Sequence, residues 1–183
     1  LFASAIIGIL LIAAGFLVAS RANVLPPVAS TRAVAVDQLF RVLLGVSTVI
    51  FLLVEGALVF AVLRFRRRPG DDQPGPALHG NTSLEILWTL IPAAIVVVLG
   101  VYSFQVLAAI ETPGLSPRVV EVVARQFSWQ FRYPEENLPT TELHLPVGQP
   151  VVFQISSEDV IHSFWVPAFR AKLDATPGQI SEL

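Results

Sequence analysis

The sequence contains no cysteine and no methionine, and only 14% of its 183 residues are charged. Without cysteine, these residues form neither a disulfide nor a thiolate metal site, so they carry no sign of a redox compartment. The net charge of -2, with no basic patch outside one short arginine cluster, argues against nucleic-acid binding. Because the sequence starts at Leu1 without an initiating methionine, we expect it to be part of a longer product that also continues beyond Leu183.

Apolar residues are in excess: 54% of the chain is hydrophobic and its mean hydropathy is +0.67, too apolar for an ordinary soluble domain. Three apolar runs, 1–19, 42–63 and 86–110, are each near or above the roughly 20 residues that cross about 30 Å of hydrocarbon as a helix. The last two predict transmembrane helices. The first is a retained helix or an uncleaved signal, and its length favours a helix because a signal h-region spans only about 7 to 15 residues.

A short arginine cluster directly follows the second apolar run. It consists of Arg64, Arg66, Arg67 and Arg68. Because such residues mark cytoplasmic loops, we predict that the loop 64–84 is cytoplasmic, and that residues 20–38 and everything after 110 lie outside. We interpret the arginines as topology determinants and lipid-phosphate contacts rather than as a substrate site.

The part of the chain after a Pro- and Gly-containing linker at 111–118 changes to short runs rich in Val, Phe and Trp. These runs predict strands near 119–132, 141–146, 149–157, 160–166 and 169–174. Strands at this spacing indicate a small sandwich or barrel. Residues 119–183, without a disulfide, give only a thin core, so we expect further chain or a partner to cover it.

Two glutamates stand out in the helical part. Thr82 and Glu85 fit a capping box at the start of the third run, and Glu85 is also a candidate carboxylate at the cytoplasmic mouth of a proton path. The two roles are compatible. Glu55 lies near the middle of the second run, where an ionisable group is costly and usually faces protein or water. We interpret it as a protonated acid hydrogen-bonded to a neighbouring helix.

Aromatic residues alternate in the stretch QFSWQFRYP. On a strand, the four rings of Phe127, Trp129, Phe131 and Tyr133 would share one face. Such alternating aromatics more often form a core than a redox conduit. Trp129 and Phe127 gain functional interest only if a redox partner docks nearby.

Of the three histidines, His79 and His144 are predicted to be surface residues near turns. His162 differs because it follows the acidic pair Glu158 and Asp159 and precedes an apolar run. A buried histidine satisfied by a backbone carbonyl is the default interpretation. Neutral imidazole is also the commonest metal ligand, but a copper site needs further soft ligands, and this sequence has neither Cys nor Met. The sequence has no Ser/His/Asp arrangement and no phosphate-binding Gly loop, so we do not expect self-contained catalysis.

Four segments in order resemble subunit II of the haem-copper cytochrome c oxidases, from about residue 37 to 183. They are the arginine-flanked helix, HGNTSLEILWTLIP, ARQFSWQFRYP and DVIHSFWVPAFRAKLDATPG. The resemblance implies a transmembrane helical hairpin over 39–110, followed by an all-β cupredoxin-like sandwich over 119–183 that is incomplete at its C-terminus. It places that domain on the outer, periplasmic side of a bacterial plasma membrane. The N-terminal segment 1–19 is additional to this hairpin.

The resemblance also implies a metal centre. His162 matches the first ligand of the dinuclear copper centre CuA, whose cysteines, second histidine and methionine would lie beyond Leu183. Lys172 and Asp174 match positions at the interface with subunit I, near the haem propionates and a magnesium ion.

Proton and electron uptake are implied at two further places. Glu85 matches the glutamate where a proton path into subunit I begins. Phe127 stands where the family usually has the tryptophan that receives the electron from cytochrome c, which leaves Phe127 and Trp129 as the candidates for electron uptake.

The function implied is that of an electron-transfer subunit of a terminal respiratory oxidase, an oxygen-reducing and proton-pumping oxidoreductase. Electrons would pass from a c-type cytochrome or similar carrier through CuA to haem in subunit I, where haem and CuB reduce oxygen. The implied partners are subunits I and III, the electron donor and membrane lipid. Two alternatives stay open: a copper-free quinol oxidase subunit II, against which His162 speaks, and a purely structural docking subunit.

Overall fold

The computed structural model describes residues 2–67, 70, 80–112, 114 and 116–183, with side chains from residue 6 onward. Three helices come first: α1 (Phe2–Arg21), α2 (Thr31–Phe65) and α3 (Thr82–Glu111). Among the described residues, α2 and α3 are long and apolar enough to cross a membrane. Arg68 and His79, both in the predicted cytoplasmic loop, lie outside the described residues.

The chain forms two compact units. The first contains Leu1–Val24 and Asp37–Gln105, which is most of the helical part. The second contains Leu25–Val36 and Val106–Leu183, so a short stretch before and at the start of α2 belongs with the β domain.

Two glycines set the contact between α1 and α2. A Cβ added to Gly15 would lie 2.8 Å from the carbonyl oxygen of Gly45 and 2.5 Å from a methyl carbon of Val49. A Cβ added to Gly45 would lie 3.3 Å from the Cβ of Ala19. Small residues at such a crossing let two backbones approach closely, as is typical of helix pairs in membranes.

The β domain contains seven strands: β1 (Arg118–Arg125), β2 (Ser128–Tyr133), β3 (Leu138–Thr140), β4 (Val151–Ser157), β5 (His162–Val166), β6 (Ala171–Ala175) and β7 (Ser181–Glu182). Five of them form one sheet in the order β3-β2-β1-β4-β7, and β5 pairs with β6 in a second, two-stranded sheet. Helices followed by an all-β domain are what the sequence predicts.

Two of the predicted strands are wrong. The run 119–132 is not one strand but the hairpin of β1 and β2, because the chain reverses at Gln126 and Phe127. The run 141–146 has no strand, and the N–H of His144 donates to the Tyr133 hydroxyl at 2.7 Å instead of to a ladder. The short strands β3 and β7 were not predicted. The other three runs correspond to β4, β5 and β6.

The core of the β domain lies between the two sheets. Alternate residues of β1 and β4 point inward, so Val120, Val122 and Ile155 are fully buried. Phe164 of β5 joins them from the second sheet. Burying each such side chain stabilises the fold by about 1.5–3 kcal/mol.

The segment 25–30, which precedes α2, is fixed to the turn between β5 and β6. The N–H of Ala29 donates to the carbonyl of Ala168 at 3.0 Å. Arg170 donates from Nη2 to the carbonyl of Pro26 at 2.7 Å and from Nη1 to that of Pro167 at 2.6 Å. These bonds therefore hold the segment before α2 against the turn between β5 and β6.

Ser30 ends the 25–30 segment and starts α2. Its hydroxyl accepts from the N–H of Ala33 at 3.0 Å, which is an N-cap, and donates to the carbonyl of Phe169 at 3.3 Å. Because of this cap, α2 begins at Thr31, earlier than the predicted hairpin start at residue 39.

Candidate functional site

His162 is the first residue of β5 and pairs with Ala175 of β6. Its Nε2 lies 2.7 Å from Oδ1 of Asp159, and its side chain is 20% exposed. The default interpretation, a buried histidine satisfied by a backbone carbonyl, is therefore wrong: the partner is a carboxylate and the ring is only partly buried. With Nε2 held by Asp159, Nδ1 is the nitrogen left to bind a metal ion.

Asp159 is itself held by backbone donors from two elements. The N–H of Gln126, in the turn of the β1–β2 hairpin, donates to Oδ2 at 2.6 Å, and that of Val160 donates to Oδ1 at 2.7 Å. The hydrogen bond from His162, with these two N–H groups, holds the pKa of Asp159 well below its usual range. An ionised carboxylate thus fixes the His162 imidazole.

Trp129 lies between His162 and the core. Its ring centroid is 6.0 Å from that of the imidazole at an interplanar angle of 69°, and 5.6 Å from that of Phe164. Phe164 in turn contacts the rings of Phe131 and Phe153. One side of the imidazole therefore faces a continuous aromatic cluster.

Phe127 does not share this face. It lies in the turn between β1 and β2, and its side chain is 98% exposed, whereas Phe131 and Tyr133 are buried. The predicted four-residue aromatic face is wrong for Phe127, because the hairpin turn interrupts the strand alternation. Ile161 and Trp165 are exposed as well, so apolar surface flanks His162 on the outside.

Lys172 and Asp174 lie on β6, opposite Trp165 and Ser163 of β5. Both are exposed, while Ala171 and Ala175, which alternate with them, are buried. Residues directly opposite each other in a pair share one face. The structure thus places Lys172 and Asp174 on the outer face of this small sheet, and His162 and Phe164 on its inner face.

Glu85 lies in the first turn of α3, but it forms no capping box with Thr82. The cap is Asn81, whose side-chain oxygen accepts from the N–H of Leu84 at 3.2 Å. The carboxylate of Glu85 reaches back over Gly80: a Cβ there would lie 2.6 Å from Oε1. The capping-box prediction is wrong because the helix starts one residue earlier than TSLE suggests.

The metal donors among the described residues do not form a complete site. Within the described ranges, no three His, Cys, Asp or Glu side chains are grouped to hold a metal ion. His144 is exposed beside Glu142, as predicted for a surface residue. The chain therefore supplies one oriented imidazole, which fits a copper centre only as part of a larger ligand set.

Sequence reasoning missed three residues: Asp159 as the partner of His162, Asn81 as the cap and Arg170 as the link to the 25–30 segment. The D-x-x-H spacing was the available signal for Asp159, and Asn before Thr-Ser was that for the cap. The Arg170 contact spans 144 positions, and the sequence gives no sign of it.

Comparison with known proteins defines the class. The family described as cytochrome C oxidase subunit II, transmembrane domain, matches residues 19–106, and that described as cytochrome C oxidase subunit II, periplasmic domain, matches residues 136–183. The chain belongs to the cytochrome c oxidase subunit II family.

Individual relatives agree with this assignment. Cytochrome c oxidase subunit 2 of Thermostichus vulcanus is 35% identical over 93% of this chain and 68% of its own length, and that of Synechocystis sp. is 35% identical over 88% and 63%. Quinol oxidase subunit 2 of Bacillus subtilis is 33% identical over 89% of this chain and 53% of its own length. The chain thus spans about two thirds or less of these relatives.

Among solved structures, the periplasmic domain of subunit II of cytochrome oxidase of Bradyrhizobium japonicum is 25% identical. The match covers 39% of this chain and 64% of the solved chain, with a TM-score of 0.37.

Proposed function

We propose that this chain is part of a subunit that takes electrons from a c-type cytochrome or similar carrier at a dinuclear copper centre and passes them to haem in subunit I. The observation that carries the proposal is the bond between His162 Nε2 and Asp159 Oδ1, which leaves Nδ1 for a metal. A carboxylate that holds the second nitrogen of a ligating imidazole is a recurrent arrangement at metal sites.

His162 would hold copper together with cysteine, histidine and methionine ligands that lie outside these residues. Bound copper would supply one-electron redox chemistry. Asp159 fixes the ring orientation, and the aromatic cluster of Trp129 and Phe164 excludes water from one side of the imidazole.

The donor and acceptor sides of the centre would be different surfaces. Phe127, exposed beside the His162 loop, would be the contact for the electron donor. Lys172 and Asp174, on the outer face of the β5–β6 sheet, would face subunit I, where a magnesium ion could bind between the subunits.

The helical part would anchor the domain in a bacterial plasma membrane, with the β domain on the outer side. The hydrogen bonds between the 25–30 segment and the β5–β6 turn support this topology, because the segment before α2 must then lie on the same side as the β domain. Glu85, at the opposite end of α3 from the β domain, would be at the cytoplasmic side, where protons are taken up.

The close crossing at Gly15 and Gly45 supports a retained α1, since a cleaved signal has no need of a glycine matched to a partner helix. Detection of α1 peptides by mass spectrometry of the purified protein would test this. Their absence would favour a cleaved signal.

A second candidate is a copper-free quinol oxidase subunit II. It is favoured by the quinol oxidase relatives, whose identity over this chain is close to that of the cytochrome c oxidase relatives.

Copper analysis of the complete protein separates the two candidates. We expect the wild type to contain a dinuclear copper centre, His162→Ala to lose it and His144→Ala, the matched exposed histidine, to keep it. A complete wild-type protein that folds and binds no copper would favour the quinol oxidase or the purely structural role.

A further inference from the structure

Glu55 is an acidic side chain near the centre of a membrane helix. It lies in the apolar run 42–63 of α2, which is bounded by Arg41 and Arg64, and it is exposed on the surface of the chain. A charged side chain at this depth costs several kcal/mol, so such residues almost always face protein or a water-filled cavity. Contact with lipid alone does not account for it.

The described part of the chain offers Glu55 no partner. No described residue forms a hydrogen bond or ion pair with Glu55. The apolar stretches PAAIVVVLGV (92–101) of α3 and IIGILLIAAGFL (6–17) of α1 contain no hydrogen-bonding side chain. The hydroxyl of Thr89, nearer the start of α3, already donates to the carbonyl of Glu85. The hydroxyl of Thr48, two turns away on α2, already donates to the carbonyl of Leu44. Tighter packing of these two stretches on α2 would leave Glu55 without a polar partner.

The face that carries Glu55 is not the face that α1 occupies. Ten residues separate Glu55 from Gly45, which places them about 80° apart around the helix axis. The neighbouring Gly56 is open, with nothing within 4 Å of the position of a Cβ. A glycine beside a polar residue lets another helix approach closely enough for a hydrogen bond.

We propose that Glu55, in its protonated form, hydrogen-bonds to a polar side chain of a transmembrane helix of oxidase subunit I and so fixes α2 against that subunit. This inference rests on the proposed role of the chain as an oxidase subunit. A protonated carboxyl group both donates and accepts, as a glutamine amide does, so the bond predicts that glutamine replaces Glu55 and leucine does not.

The test uses the complete, tagged subunit in its native membrane, with the variants Glu55→Gln, Glu55→Leu and, as an exposed apolar control on another face of α2, Leu53→Ala. The amount of subunit I that co-purifies is measured in detergent, together with copper per subunit II. We expect Glu55→Gln and Leu53→Ala to retain subunit I, and Glu55→Leu to lose it about three- to thirtyfold at unchanged copper, the effect of one interhelical hydrogen bond.

Three results would overturn the proposal. Glu55→Leu could hold subunit I as well as the wild type does. Glu55→Gln could fail to the same degree as Glu55→Leu, which would indicate an ionised pair. Glu55→Gln could assemble but lose turnover, which would indicate a proton-carrying role. A photoreactive residue at position 56 must also cross-link to subunit I and not to another subunit. Lack of copper in the wild type would contradict only the proposed function.

Discussion

The guanidinium of Arg170 donates to the backbone carbonyl of Pro26 at 2.7 Å, across 144 positions of the chain. Arg170 has a φ of +54°, in the left-handed region, where a residue other than glycine loses about 1–2 kcal/mol. Its bonds to Pro26 and Pro167 offset that cost. This residue therefore links the segment before α2 to the turn that joins β5, which carries His162, to β6.

Replacing Arg170 should loosen this link. Arg170→Ala loses both hydrogen bonds and keeps the unfavourable φ. We expect the free energy of unfolding of the β domain to fall by about 1 kcal/mol. The contact with Pro26 is exposed, so its share of this loss is the smaller one. Arg170→Gly loses the same bonds but relieves the φ cost, so it should be less destabilised. Thermal melting and proteolysis within 25–30 measure both. Unchanged cleavage in both variants would contradict the link.

Asp159 should control metal affinity through His162. Asp159→Ala removes the acceptor at Nε2, so the imidazole can rotate, and we expect copper affinity of the complete protein to fall about 10- to 100-fold. Asp159→Asn keeps an acceptor oxygen, so its copper affinity should fall less. Copper titration against a competing chelator measures this. Glu158→Gln, the adjacent exposed carboxylate, is the control, and an equal loss there would assign the effect to net charge.

The cap and the proton role at the start of α3 can be separated, because the cap is Asn81 and not Thr82. Asn81→Ala should destabilise the first turn by about 1 kcal/mol and leave turnover of the assembled oxidase nearly unchanged. Glu85→Ala should slow turnover at unchanged copper. Steady-state oxygen consumption with thermal melting distinguishes them, and unchanged turnover in Glu85→Ala would remove the proposed proton role.

Phe127 and Trp129 should affect different steps. Phe127 is almost fully exposed, so Phe127→Ala should preserve stability and copper but lower kcat/KM for the electron donor. Trp129 packs on His162 and Phe164. A fully buried Trp→Ala change costs about 3–5 kcal/mol, and because Trp129 is only partly buried, we expect Trp129→Ala to destabilise the domain by less than that. Donor titrations on the assembled oxidase test this. An unaltered kcat/KM in Phe127→Ala would place the donor elsewhere.

Periodicity and composition predicted the parts of the fold that depend on local patterns. The apolar runs predicted α2 and α3, and the Val- and Phe-rich runs predicted the β domain. They did not predict the reversal at Gln126 and Phe127. A two-residue turn between two strands leaves the alternation of residues in the sequence looking like that of one long strand. Nor did they predict the irregular 141–146 segment, where a contact with Tyr133 replaces ladder pairing.

At the candidate site, sequence reasoning singled out His162 but gave it the wrong partner, because the partner is the Asp159 carboxylate. The partner depends on where the β1–β2 turn places the N–H of Gln126 beside Asp159, which is a tertiary feature. The outward direction of Lys172 and Asp174 depends on the register of β6 against β5. Such relationships follow from strand pairing, which single-sequence patterns do not determine.

Electron transfer in the assembled oxidase tests the central claim most directly. Reduced c-type cytochrome is mixed with the complete oxidase carrying wild-type subunit II or His162→Ala, and reduction of haem in subunit I is followed by stopped-flow absorbance. We predict rapid haem reduction in the wild type and its loss in His162→Ala, with subunit assembly intact and haem still reducible by dithionite. Haem reduction at the wild-type rate in His162→Ala would contradict the account.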